Sequence, residues 1–278
     1  MTTASGGLKN KRIGFIGCGA MGRALACGLV SAGIETSVLS GADIAPENRA
    51  SFERELGIQI AEDNAALVAK SDVVVLAVKP GAVAGVLREL PGGADLARPL
   101  WISIAAGIPM ASLEATLPAS ARVIRAMPNT PALVGAGATA YCANTAAGDD
   151  DLAAAAALFA AVGHAWRAPA ETLLDAVTGL SGSGPAYVFL ILEALADAGV
   201  RVGLPREAAS QLAVQTVYGA ARLVLESGQH PAALKDQVTS PGGTTIAGLE
   251  RLEAGGVRAA IYEAVASATA RSRELSAG

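Results

Sequence analysis

Arg12-Ile13-Gly14-Phe15-Ile16-Gly17-Cys18-Gly19-Ala20-Met21-Gly22 decides the fold of this chain. Residues 13–16 read as a short apolar strand, and residues 23–32 as a helix. Between them lies G-x-G-x-x-G in the context that gives the pattern meaning, after a strand and opening a helix. Gly17 permits the tight turn, Gly19 lets the backbone approach a pyrophosphate, and Gly22 lets the helix sit close to the sheet. Backbone N–H groups at the helix start have no intrahelical acceptor and suit a bound anion. Gly17, Cys18, Gly19, Ala20 and Met21 are therefore candidate contacts to a dinucleotide, although glycines in such a loop also serve as a plain structural turn.

Working outward, residues 36–39 read as the second strand, 46–56 as a helix, 58–60 as a third strand and 64–69 as another helical piece. Residues 72–78 form a continuous apolar run cut by Lys79-Pro80, as suits a buried parallel strand. Helices at 82–90 and 110–116 alternate with strands at 100–104 and 122–126. Residues 137–142 extend the sheet, 149–159 read as a helix and 164–167 as a last strand. Such alternation after a glycine fingerprint predicts an α/β Rossmann-type domain with an open, mostly parallel sheet. Ligands lie beyond strand C-termini in such sheets. Three loops fall there: Ala77-Val78-Lys79-Pro80, Ala105-Ala106-Gly107 and Met127-Pro128-Asn129-Thr130. From residue 173 strand signals stop, and helices are expected at 184–198, 205–227, 231–236, 244–252 and 257–273. The expected organisation is a loose tail at 1–10, a nucleotide-binding domain at 11–170 and an all-helical domain at 171–278. Leu190, Ala194, Ala213, Val217 and Val224 read most simply as core of that helical domain. Its alanine-rich stripes also suit a subunit interface.

Apolar residues are 52% and charged residues 17% of 278, a globular rather than a disordered composition. Formal charge is −4 with no extended Lys/Arg block, so neither nucleic acid nor an anionic membrane is expected as main partner. The apolar run at 153–161 is far short of a membrane span. Three cysteines without ligand spacing and two histidines leave little to build a metal site from, and suit a reducing cytoplasm.

The second strand, so read, runs out at Leu39-Ser40-Gly41-Ala42 without the acid that usually meets the ribose hydroxyls of NAD. Asp43 reads as already turned away. Neutral Ser40, with Asn48 and Arg49 nearby, would tolerate a 2′-phosphate, so NADPH is favoured and NADH stays open. Downstream, Ser240-Pro241-Gly242-Gly243-Thr244-Thr245 is a good helix start with serine as cap. It reads equally as an anion nest in which the N–H groups of Gly243, Thr244 and Thr245 surround a carboxylate. Gly179, Gly182 and Gly184 could be a hinge or a surface facing the nicotinamide. Neither His164 nor His230 stands where a proton-transfer group would be needed, whereas an imine substrate needs little acid–base help.

With these stretches in view, the sequence resembles the pyrroline-5-carboxylate reductases. The resemblance rests on residues 13–22, Val75-Leu76-Ala77-Val78-Lys79-Pro80, Arg125-Ala126-Met127-Pro128-Asn129-Thr130-Pro131, Gly179-Leu180-Ser181-Gly182-Ser183-Gly184-Pro185-Ala186-Tyr187 and, most specifically, residues 234–245. It implies hydride transfer from NAD(P)H to (S)-1-pyrroline-5-carboxylate, giving L-proline. It implies a helical domain interlocked in a homodimer, and in several relatives a decamer of such dimers. By analogy, the backbone of Gly243 and Thr244, with Ser240, holds the substrate carboxylate, and Thr245 contacts the ring nitrogen as the catalytic hydroxyl. Residues 77–80 line the nicotinamide side, Asn64 lies near the adenosine ribose, and Asn129 and Thr130 help beside the nicotinamide. Where relatives commonly carry a serine-rich turn after the second strand, this chain has Ser40-Gly41-Ala42. The rival readings are a β-hydroxyacid dehydrogenase, whose expected lysine is missing from residues 184–189, and a cofactor-binding sensor without turnover.

Overall fold

In the computed structural model, which describes residues 6–91 and 95–277, Ile13–Ile16 is buried along its length and forms strand β1. The glycine turn leads into α1 (Ala20–Ser31), followed by β2 (Leu39–Ala42), α2 (Pro46–Leu56), β3 (Gln59–Ile60), α3 (Asn64–Lys70) and β4 (Val73–Leu76). Next come α4 (Val83–Arg88), β5 (Leu100–Ser103), α5 (Met110–Glu114), β6 (Arg122–Met127), β7 (Gly137–Ala143), α6 (Asp149–Ala160) and β8 (Gly163–Arg167). The helices α7 (Leu173–Val177), α8 (Gly184–Arg201), α9 (Arg206–Ser227), α10 (Pro231–Gln237), α11 (Thr244–Ala254) and α12 (Val257–Ala277) complete the chain.

Among the described residues one sheet runs in the order β3-β2-β1-β4-β5-β6-β7-β8, and within it only the β6–β7 pairing is antiparallel. The chain moves outward from β1 to β3, then crosses back to β4. Strand order therefore reverses beside β1, and the crevice beyond β1 and β4 is where such sheets bind ligands. Both faces are covered. Phe15, Leu25, Phe52 and Phe159 pack on one side, while Leu67, Leu87, Trp101 and Leu113 pack on the other. This double cover is what an apolar strand such as Val73–Leu76 requires.

Four expectations change. Residues 36–38, read as strand, form a 3-10 turn, and β2 begins only at Leu39. Within the expected tail, residues 1–5 lie outside the described residues. Gly6–Leu8 is a 3-10 turn whose Leu8 side chain is buried in the core with Phe159. Packing divides the chain at a different place from the boundary expected near residue 170. The chain divides into one compact unit that runs to Ser183 and resumes at Ala268, and a second unit, Gly184–Ser267. α7 belongs to the first because Leu174 is buried in the sheet core with Trp101. After α7 comes a π-helical turn, Thr178–Gly182, in which the Ser183 N–H reaches the Thr178 carbonyl at 2.8 Å.

In the second unit the expected core is largely missing. Of the five residues read as core only Ala213 is buried, while Leu190 is 66% exposed and Ala194 is exposed. Val217 and Val224 are half-buried. α8 and α9 do approach closely, since a Cβ on Gly199 would lie 2.9 Å from the Ala209 Cβ. Phe189, Leu190, Leu225 and Tyr262 nevertheless remain open to solvent, far more apolar surface than a soluble helical unit leaves uncovered.

Candidate active site

The turn after β1 has the geometry its glycines promise. Gly17 sits at φ +103°, and a Cβ there would lie 2.6 Å from the Ala77 carbonyl oxygen, so any side chain is excluded twice over. Gly17 N–H donates to the Ala42 carbonyl and Ala77 N–H to that of Ile16, which ties the turn to the ends of β2 and β4. Gly19 is different. A Cβ built there meets no protein atom within 4 Å. The open space lies directly at the start of α1, where no side chain caps the helix and no acidic residue occupies the first turn. A glycine that the protein's own packing does not need, at an uncapped twelve-residue helix, fits a pyrophosphate. Cys18 is buried between this turn and β2. Burial first, and then the charge of Asp43, push its thiol up to about 12, so it is no nucleophile at neutral pH.

The end of β2 overturns one expectation. Ser40 lies inside the strand, paired with Gly14 and Gln59, and is removed from the strand's ligand edge. The first residue past β2 is Asp43. Its carboxylate accepts from Cys18 N–H at 2.7 Å, Ala45 N–H at 2.8 Å and Asn48 Nδ2 at 3.1 Å. The acid read as turned away therefore touches the glycine turn, and the argument for NADPH from a neutral strand end no longer stands. Asp43, Arg49 and Asn64 line one cavity of about 470 Å³ together with Ile44 and Glu62.

At the other side of the crevice, Pro80, Ala106 and Gly107 line a cavity of about 450 Å³ with Thr178, Ser183 and Arg271. Ala105 has its side chain in the core, so only its backbone can face a ligand. Lys79 is exposed and precedes the 3-10 turn Pro80–Ala82. Asn129 is 9% exposed. Its amide donates to the Ser181 carbonyl at 3.0 Å and accepts from Ala138 N–H at 2.9 Å, so it braces the π-helical turn against β7. Sequence reasoning missed this brace, and also Ser272 of α12, which donates to Asp175 at 2.7 Å. Asn129 stands in a motif read for the nicotinamide and not for this contact, and Ser272 stands in no motif.

In the second unit, Gly243 rather than Ser240 is the N-cap of α11, and no side chain caps that helix. Ser240 to Gly243 is a turn closed by Gly243 N–H on the Ser240 carbonyl at 3.1 Å, with Gly242 at φ +65°. A Cβ on Gly243 would lie 2.3 Å from Ser240 Oγ. The serine hydroxyl thus stands over the uncapped helix start, with the Thr244 and Thr245 N–H groups in the first turn. Between the two sequence readings, the geometry is that of the open nest and not of the serine-capped helix.

A family model described as pyrroline-5-carboxylate reductase dimerisation matches residues 171–275, and one described as NADP oxidoreductase, coenzyme F420-dependent, matches residues 12–107. The pyrroline-5-carboxylate reductase of Methanosarcina acetivorans is 47% identical over 269 residues, spanning 96% of this chain and 99% of that protein. That of Arabidopsis thaliana is 47% identical over 266 residues, 95% of each. Among solved structures, a pyrroline-5-carboxylate reductase from Coxiella burnetii superposes with a TM-score of 0.92 at 38% identity, over 96% of this chain and 99% of the other. The Plasmodium falciparum enzyme, solved with NADP bound, gives 0.85 at 34% identity over the same shares. Likeness of this extent runs through both units, and the chain belongs to the pyrroline-5-carboxylate reductase family.

Proposed function

We propose that this chain reduces (S)-1-pyrroline-5-carboxylate to L-proline, the first unit holding NAD(P)H and the second the imine acid. Full-length identity to reductases of this name supports the reaction. One observation carries the substrate site: the start of α11 is left uncapped while Ser240 Oγ crowds the Gly243 backbone beside it. An uncapped helix start next to a hydroxyl is suited to a carboxylate. Gly243 and Thr244 offer backbone N–H groups, Ser240 its hydroxyl, and Thr245 the hydroxyl that orients the ring nitrogen.

On the cofactor side, the backbone at Gly17 to Met21 receives the pyrophosphate. Asn64 lines the adenosine cavity, and residues 77–80, 105–107 and 129 form the edge toward the nicotinamide. Bound NAD(P)H supplies the hydride taken by the imine carbon. The protein contributes position and orientation more than acid–base chemistry.

The exposed apolar faces of α8, α9 and α12 are the surface that a second copy covers, in keeping with the dimerisation match over residues 171–275. Residues 173–201 are long and apolar enough to cross a membrane by length and composition. Their place within the dimerisation match favours a protein partner instead. Assembly of dimers into a decamer is the further step expected of the family. Free Cys18, Cys27 and Cys142 suit a reducing, cytoplasmic setting.

The test is loss of reduced-nicotinamide absorbance with pyrroline-5-carboxylate, using NADH and NADPH in turn. No turnover with either coenzyme overturns the assignment. Thr245→Ala is expected to lower kcat by about 3- to 10-fold, the worth of one neutral hydrogen bond, with coenzyme affinity unchanged. An unchanged kcat removes Thr245 from the mechanism.

A further inference from the structure

Asp43 is the first residue past β2, and its carboxylate is locked in place by three donors. Oδ2 takes Cys18 N–H and Asn48 Nδ2, and Oδ1 takes Ala45 N–H. Two carboxylate oxygens offer about four acceptor positions, so one remains, on Oδ1. A ribose hydroxyl can donate to it. A 2′-phosphate, ionised at neutral pH, brings acceptors and negative charge to the same place and has no proton to give. The carboxylate cannot swing aside without giving up bonds that also hold the glycine turn.

The surroundings act in the same sense. The cavity that holds Asp43 is also lined by Glu62 and Asp63, and its cation is Arg49. The Arg49 guanidinium donates through one nitrogen to the carbonyls of Asp43, at 2.8 Å, and Ile44, at 3.3 Å. It is tied to backbone beside the acid and not held out toward a phosphate. Ile44, 96% exposed at the mouth, offers an apolar face of the kind an adenine stacks on.

We propose that Asp43 selects between the two coenzymes, accepting a hydroxyl of the adenosine ribose and rejecting the 2′-phosphate, so that this chain favours NADH. The proposal rests on the reading of the first unit as the NAD(P)H site. The Plasmodium relative, solved with NADP, shows that the family fold admits the phosphate. What decides the matter here is this chain's own residue at the end of β2.

The test separates binding from turnover. Dissociation constants of NADH and NADPH are measured by tryptophan fluorescence on wild type, Asp43→Asn and Asp43→Ser, with melting temperatures as the folding control. Wild type is expected to bind NADH about tenfold or more tightly than NADPH, the worth of one hydrogen bond to a charged group. Both substitutions are expected to move that ratio at least tenfold toward NADPH. ADP-ribose against its 2′-phosphorylated form on wild type gives the same comparison without any variant. A wild type that prefers NADPH, or a ratio that moves less than twofold in folded variants, overturns the proposal. If the ratio behaves as expected but pyrroline-5-carboxylate is not reduced with either coenzyme, the selectivity stands and the reductase reading falls.

Discussion

Replacing Glu171 by alanine should loosen three loops around the crevice at once. One oxygen of Glu171 accepts both the Met110 N–H, at 2.7 Å, and the Arg125 guanidinium. Met110 opens α5 just after Ala106-Gly107, Arg125 lies on β6 two residues before Met127, and Glu171 itself leads into α7 and the π-helical turn. The Arg125 side chain is 9% exposed and that of Glu171 34%. Breaking a fully buried pair costs about 3–5 kcal/mol because the remaining charge is stranded. Partial exposure of the acid lets water reach it and brings the expectation down to about 2–3 kcal/mol. For a chain of this size that is a fall of about 5–10 °C in Tm. Glu171→Gln keeps an oxygen for both donors and loses only the charge, so it should cost about half as much. Urea unfolding, with both variants compared at constant protein concentration, measures the difference. A loss below about 0.5 kcal/mol for Glu171→Ala, within the range of an ordinary surface change, would refute the clamp. Equal losses for the two variants would show that the neutral hydrogen bonds contribute nothing beyond the charge.

Gly19→Ala should fold with an unchanged Tm, because its methyl meets no protein atom, yet weaken NAD(P)H binding by about tenfold or more by filling the pyrophosphate approach. Equilibrium binding checks this, and full affinity in the variant would show that the space serves no ligand. Asp72 supplies a pH dependence. Burial pushes its carboxyl up, but the Arg12 N–H and the guanidinium groups of Arg12 and Arg98 outweigh burial and hold it at about 2, below its ordinary 3.8. Its folded-state value is depressed, so its stabilisation is present above the unfolded value and is lost as pH falls toward the folded one. The Tm gap between wild type and Asp72→Asn should therefore be constant near neutrality and shrink below about pH 4. A gap that does not narrow in acid would contradict the pairing.

The glycine turn was legible because each of its residues answers to a backbone requirement that pattern alone expresses. The end of β2 was not. Thr36 and Val38 have β-branched side chains, and Ser40-Gly41 reads as a turn, so the strand was placed three residues early. Gly41 is in fact a strand glycine of another kind. A Cβ there would lie 2.7 Å from Cys18 Sγ and 2.9 Å from a Phe52 ring carbon, so the residue marks close packing and not a bend. Read that way, it would have put Asp43 at the strand end. The nest at Ser240 to Thr245 was half legible. Its residue types fit a capped helix as well as an open one, and only the Gly243 backbone separates the two. The faces of α8 and α9 misled for a different reason, since a stripe that meets a second copy has the same period as one that meets its own core.

The end of α12 lends its last turns to the unit that begins the chain. Arg271 helps to line the cavity beside Pro80 and Gly107, and Ser272 is bonded to Asp175. Chains are made from the N-terminus, and domains generally fold as units in the order they emerge. Here the nucleotide-binding unit can form its sheet early but cannot finish its wall until the whole helical unit has been synthesised. The wall of that cavity is thereby tied to synthesis of α12, and a chain that stops short of residue 268 would carry the fingerprint without Arg271 and Ser272.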